Sequence, residues 1–139
     1  MAEGLPEDGK VWTFEINDEM EDFTRPWIEG SPVADKINFI IGDANDLAPQ
    51  LGVTFDMAFL DGDKRTYVET YEMAMPLVRP GGFILADNTL WDGHVTDRAY
   101  DHDQQTIGIR RFNDHVAADT RVEQLILPMR DGLTVIRKL

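Results

Sequence analysis

Apolar residues recur along this chain in short runs, and the runs alternate between two periods. Residues 11–16, 36–41, 55–60 and 82–86 are compact, rich in Val, Ile and Phe and flanked by breakers, which predicts strands. Residues 18–28, 45–51 and 64–78 carry helical spacing between them. The clearest is 64–78, where Val68, Tyr71 and Met75 fall at i, i+3 and i+7 with Ala74 and Val78 beside them. Pro26 interrupts the first of these helices. Residues 90–105 are polar and acidic and read as a loop, a mobile solvated one over residues 97–103. Residues 106–118 return to helical spacing through Ile109, Phe112 and Val116. Two further strands, 122–128 and 133–138, flank Asp131-Gly132, a hairpin-turn pair. The order βαβαβαβ, then a helix and an antiparallel hairpin, predicts an α/β fold with a mainly parallel sheet and a mixed edge.

Two of these strands end in acid. Residues 57–60 run into Asp61-Gly62-Asp63-Lys64, and residues 83–86 run into Asp87-Asn88. A strand–helix–strand unit makes a right-handed crossover and brings both strand ends to one edge of the sheet. Ligands of open α/β sheets sit outside that edge. Asp61, Asp87 and Asn88 are therefore expected to converge. Three oxygen donors without Cys or His beside them favour a hard divalent cation: Mg²⁺, Ca²⁺ or Mn²⁺. The plainer alternative is that the two aspartates only cap turns. Asp63 and Lys64 admit a similar alternative, a helix-start acid and a solvated lysine.

Composition narrows the field. The 139 residues are 42% hydrophobic, as in a globular domain, and the length suits a single one. A net charge of -13 argues against nucleic acid and against anionic membrane surfaces. With no Cys, disulfides and thiolate chemistry are excluded. No apolar run reaches transmembrane length and no signal-peptide core is present, so a cytoplasmic location is expected. His94, His102 and His115 lack ligand spacing and read as surface residues. Tyr67, Tyr71, Met73 and Met75 read as core or helix flank.

Four segments together resemble the cation-dependent, S-adenosylmethionine-using O-methyltransferases, the group that contains caffeoyl-CoA and catechol O-methyltransferases. They are LPEDGK (5–10), FDMAFLDGDKRTY (55–67), RPGGFILADNTLW (79–91) and LPMRDGLTVIRK (127–138). The resemblance implies a Rossmann-like methyltransferase sheet and roles at matching positions. Asp61, Asp87 and Asn88 match metal ligands, and Lys64 matches a general base. Glu15 matches the acid on the cofactor's ribose, and Asp43-Ala44 the segment beside its adenine. Asp61 and Asp63 lie near the cofactor's methionine end, and Trp91 matches an aromatic near the acceptor. The implied acceptor is a small hydroxylated aromatic, catechol-like, and the implied assembly a homo-oligomer, a dimer in the simplest case.

The family's glycine-rich loop, the strand before it and the N-terminal helices precede the segment matching Leu5. They have no counterpart here, so Met1 resembles an internal methionine of a longer protein. The first and third strands are then expected to lack their shared neighbour, and the chain alone is expected to bind S-adenosylmethionine poorly. Two other functions fit the residues less well. One is a Mg²⁺-dependent phosphoryl-transfer protein using Asp61-Gly62-Asp63; the other is a non-catalytic remnant that self-associates through an open sheet edge.

Overall fold

The computed structural model describes residues 1–139, in two compact units, Met1–Leu51 and Gly52–Leu139. In the first unit, β1 (Val11–Glu15) and β2 (Ile37–Ile41) pair in parallel, with Glu15 opposite Ile41. The crossover between them contains α1 (Glu21–Glu29), which tolerates Pro26 in its interior. A short α2 (Ala44–Leu47) follows β2, capped by the Asp43 side chain, which accepts from the Asn45 amide at 2.8 Å. Only Ala2 and Ala48 of this unit are buried, while Phe23 and Trp27 are 64% and 73% exposed. A unit this small and this poorly cored holds its shape through its ladder and turns more than through apolar burial.

The second unit holds the core. Its sheet runs β3 (Phe55–Leu60), β4 (Val78–Asp87), β6 (Leu133–Lys138), β5 (Val122–Leu127). The β3–β4 pair is parallel; β4–β6 and β6–β5 are antiparallel. Helices α3 (Tyr67–Leu77) and α4 (Gln104–Ala118) pack together and contribute to one apolar cluster with the inward residues of β3, β4 and β6. Tyr71, Ile84, Ile109, Phe112 and Ile136 are fully buried there. Tyr67 and Tyr71 both meet Phe112 edge-on, at centroid distances of 5.2 and 6.0 Å. The alternate residues Met57, Phe59 and Phe83 lie 40–43% exposed on the other face.

The expected α/β class with its C-terminal antiparallel hairpin is what the chain adopts. Some boundaries differ. Pro80 and Gly81, breakers just before the strand expected at 82–86, lie inside β4. The register jumps from Phe55↔Val78 to Met57↔Phe83, so residues 79–82 bulge out of the ladder. Gly81 takes φ +74°, and a side chain on Gly82 would sit 2.8 Å from the Asp56 carbonyl oxygen. Residues 90–105, expected as loop, form two 3₁₀ stretches, Trp91–Thr96 and Arg98–Tyr100. The edges expected to be orphaned are indeed unshared: β1 pairs only with β2, and β3 only with β4.

Candidate active site

The β3–β4 ladder ends at Leu60↔Ala86, so Asp61 and Asp87 are neighbours one step beyond it, on strands about 4.8 Å apart. Asn88 follows with φ +59°, a left-handed conformation that Asn tolerates better than most residues. Its amide donates to Asp87 Oδ1 at 2.8 Å. Asp61, Asp87 and Asn88 thus share one sheet corner, and the Asp61 side chain is 59% exposed. This oxygen-only donor set fits a hard divalent cation.

Lys64 departs from the solvated lysine that a helix start suggests. It is 5% exposed. Its backbone N–H donates to Gln105 Oε1 at 3.0 Å, and its Nζ donates to Asp61 Oδ1 at 3.2 Å. Nζ also hydrogen-bonds the Tyr67 hydroxyl and sits 4.3 Å above the Tyr67 ring. Burial lowers the Lys64 pKa; the bond to Asp61 and the charges of Asp61, Asp87 and Asp131 pull back upward. Asp63 takes no part in this balance. Its carboxylate caps the turn, accepting from the Arg65 amide at 3.0 Å, and pairs with the Arg65 guanidinium. The Arg65 contact holds Asp63 down to about 2. Burial pushes the Tyr67 hydroxyl well above the usual tyrosine range, so it remains a protonated donor.

Trp91 begins an unusual stretch. Trp91, Asp92 and Gly93 have φ of +48°, +51° and +78°. The hairpin turn supports the chain leading into it: Thr89 N–H donates to the Gly132 carbonyl at 3.1 Å and Leu90 N–H to the Asp131 carbonyl at 2.9 Å. The Asp131 carboxylate accepts from the Asp92 amide. Arg110 fixes the following segment, donating to the carbonyls of Val95, His94 and Asp97 at 3.0, 2.9 and 2.8 Å. His94 stacks on Tyr100 at 3.5 Å, so this histidine is engaged rather than free surface. Trp91, Asp92, His94, Tyr100, Asp103 and Asp131 line an open depression of about 340 Å³. Asp131 and Arg110 were missed in the sequence. The Asp-Gly turn signal located Asp131 without showing which way it faces, and nothing local marks Arg110.

In the first unit, Glu15 and Asp43-Ala44 stand at adjoining strand ends. Gly42 N–H donates to the Glu15 carbonyl at 2.8 Å, and Glu15 Oε1 accepts from the Asn17 amide at 2.9 Å. This placement fits the ribose and adenine side of a nucleoside cofactor. The structure also gathers Glu72, His115 and Asp119, whose ligand-type atoms lie within 4.8 Å of one another. Arg121 already fills that cluster, with Nη2 at 2.6 Å from both carboxylates, and Tyr71 donates to Asp119 at 2.8 Å. It is an ion-pair staple between α3, α4 and the start of β5. No helix is long and apolar enough to cross a membrane.

Acids at the carboxyl ends of parallel strands, with an antiparallel hairpin at the edge of the sheet, make a Rossmann-like α/β arrangement. The structure of an O-methyltransferase from Bacillus cereus in complex with SAH superimposes with a TM-score of 0.91 at 32% identity, covering 99% of this chain and 66% of that one. The O-methyltransferase family model matches residues 1–139, and the chain belongs to that family. Relatives include tricin synthase 1 of Oryza sativa subsp. japonica, 38% identical, and caffeoyl-CoA O-methyltransferase 1 of Eucalyptus globulus, 36% identical. Each alignment covers 99% of this chain and 60% of the relative.

Proposed function

We propose that this chain carries the metal and acceptor site of an S-adenosylmethionine-dependent, divalent-cation-dependent O-methyltransferase that acts on a catechol-like hydroxyl of a small aromatic. The observation that carries this reading is the corner where Asp61, Asp87 and Asn88 meet beside the buried Lys64. Asp61, Asp87 and Asn88 would hold Mg²⁺, Mn²⁺ or Ca²⁺. A cation held there would supply Lewis-acid activation of an acceptor hydroxyl, lowering its pKa.

The chain's own groups supply the rest. Lys64 Nζ, whose burial favours its neutral form, would take the hydroxyl proton. Trp91, whose amide donates to the Asn88 carbonyl, borders the depression and would offer an aromatic wall for the acceptor ring. Glu15 would accept from the cofactor's ribose hydroxyls, with Asp43 and Ala44 beside the adenine. Within the second unit, Asp61 and Asp63 stand at positions that the resemblance assigns to cofactor contacts, and Asp63 keeps its partner Arg65. The relatives' names support an aromatic acceptor: one is a tricin synthase, another a caffeoyl-CoA O-methyltransferase. The resemblance further implies a homo-oligomer, a dimer in the simplest case.

The test is methyl transfer from radiolabelled S-adenosylmethionine to a catechol by the chain extended upstream through the family's glycine-rich loop, with Mg²⁺ and with EDTA. Transfer that requires the cation is expected. Equal transfer in EDTA, or transfer surviving Asp87→Asn unchanged, refutes the proposed chemistry.

A further inference from the structure

The hydroxyl of Tyr67 lies 3.0 Å from the Leu60 carbonyl oxygen and 3.0 Å from the Asp87 carbonyl oxygen. These two carbonyls open the peptide units that lead into Asp61 and Asn88. They also lie where the β3–β4 pairing gives out, since the last ladder pair is Leu60↔Ala86. The hydroxyl has a single proton to share between them, and it accepts from Lys64 Nζ on its other side. One oxygen atom therefore ties together both strand tips and the lysine. The ring beneath it is 1% exposed and braced edge-on by Phe112, so the node has little freedom to move.

We propose that Tyr67 is a positioning residue for the metal site: its hydroxyl cross-links the two strand tips beyond the ladder, sets the spacing of Asp61 against Asp87 and Asn88, and holds Lys64 Nζ over that corner. The sequence gives Tyr67 only a place on the buried face of a helix. Its function follows from the height of its hydroxyl, which reaches past the core to the strand ends. Partners of metal ligands act in this way, orienting donors they do not themselves supply, and their loss costs roughly 10–100-fold in metal affinity or activity. The inference rests on the proposed metal site, and its test separates the two.

The experiment is Mn²⁺ binding to the full chain, read by the loss of free-ion EPR signal, for wild type and three variants. Tyr67→Phe keeps the ring and removes the node. Tyr71→Phe removes the hydroxyl of a second buried tyrosine, one that bonds Asp119 away from the strand tips. Asp87→Asn removes a ligand. About tenfold weaker binding or more is expected for Tyr67→Phe, with Tyr71→Phe unchanged. Wild-type affinity in Tyr67→Phe alongside loss in Asp87→Asn overturns the role of Tyr67 and leaves the metal site standing. Equal weakening in both tyrosine variants overturns it too, since the cause is then general loosening. Absence of saturable binding in wild type overturns the metal site and this inference together. A measurement on the unmodified chain covers the case of a variant that does not fold. In NMR, Mg²⁺ addition should shift the Leu60 and Asp87 carbonyl carbons and the Tyr67 hydroxyl proton with one midpoint. An unresponsive hydroxyl proton refutes the link.

Discussion

Replacing Gly108 with Ala should destabilise the protein, although it sits in the interior of the 15-residue helix α4, where the exchange ordinarily helps. By propensity alone Gly→Ala inside a helix gains about 1 kcal/mol. Here the new Cβ would stand 2.8 Å from the Arg65 Cα and from the Lys64 carbonyl carbon, and closer still to the Lys64 carbonyl oxygen. All three are backbone atoms, so no rotamer change relieves the clash and the helix must retreat from the Lys64 turn. Overpacking of this kind costs about 1–3 kcal/mol. Retreat also stretches the 3.0 Å bond from Lys64 N–H to Gln105, worth about 1 kcal/mol. The balance is a loss of about 2 kcal/mol, or a melting midpoint lower by about 6 °C for a chain this long. Circular dichroism melts of wild type and Gly108→Ala decide it. A midpoint that rises by about 3 °C, as propensity alone requires, would refute the close packing of α4 on the Lys64 turn.

Two titrations probe the ionisable groups. Burial holds the Lys64 pKa below its unfolded value, so between the folded value and about 10.4 the unfolded chain binds more protons and stability rises with pH. Melting midpoints from pH 7 to 10 should therefore climb more in wild type than in Lys64→Met, and parallel curves would contradict the burial. The carboxylates of Asp119 and Glu72 are depressed chiefly by Arg121, so their stabilisation is present above about pH 4 and fades as acid protonates them. Arg121→Ala should cost about 1 kcal/mol at neutral pH, the guanidinium being half exposed, and should flatten the acid limb of the stability curve. A variant with the wild-type acid limb would show that the Arg121 cluster carries no linkage.

The sequence made the architecture legible because its signals were local. Strand runs ending in Asp61 and Asp87, the helical spacing of Val68, Tyr71 and Met75, and the Asp131-Gly132 turn each say something about a few adjacent residues. The crossover rule then put two strand ends together, and the ladder register bears this out. What the sequence hid was side-chain direction and long-range closure. Lys64 follows Asp61-Gly62-Asp63 and looks solvent-facing, yet Tyr67, Gln105 and Gly108 enclose it, the last two from a helix some forty residues downstream. Nothing in the sequence marked Arg65 as the partner of Asp63. His115 looked like plain surface and is bonded to Glu72 at 2.7 Å. The Pro80-Gly81-Gly82 run has the composition of a turn, and only the β3 register shows that β4 continues through it.

The central claim is that Asp61, Asp87 and Asn88 form the cation site. Calorimetric titration of Mn²⁺ into wild type, Asp87→Asn and His115→Ala tests it most directly. The account predicts one saturable site that Asp87→Asn abolishes and His115→Ala leaves intact. Binding that survives Asp87→Asn and disappears in His115→Ala would move the cation to the cluster with Glu72 and Asp119 and contradict the account.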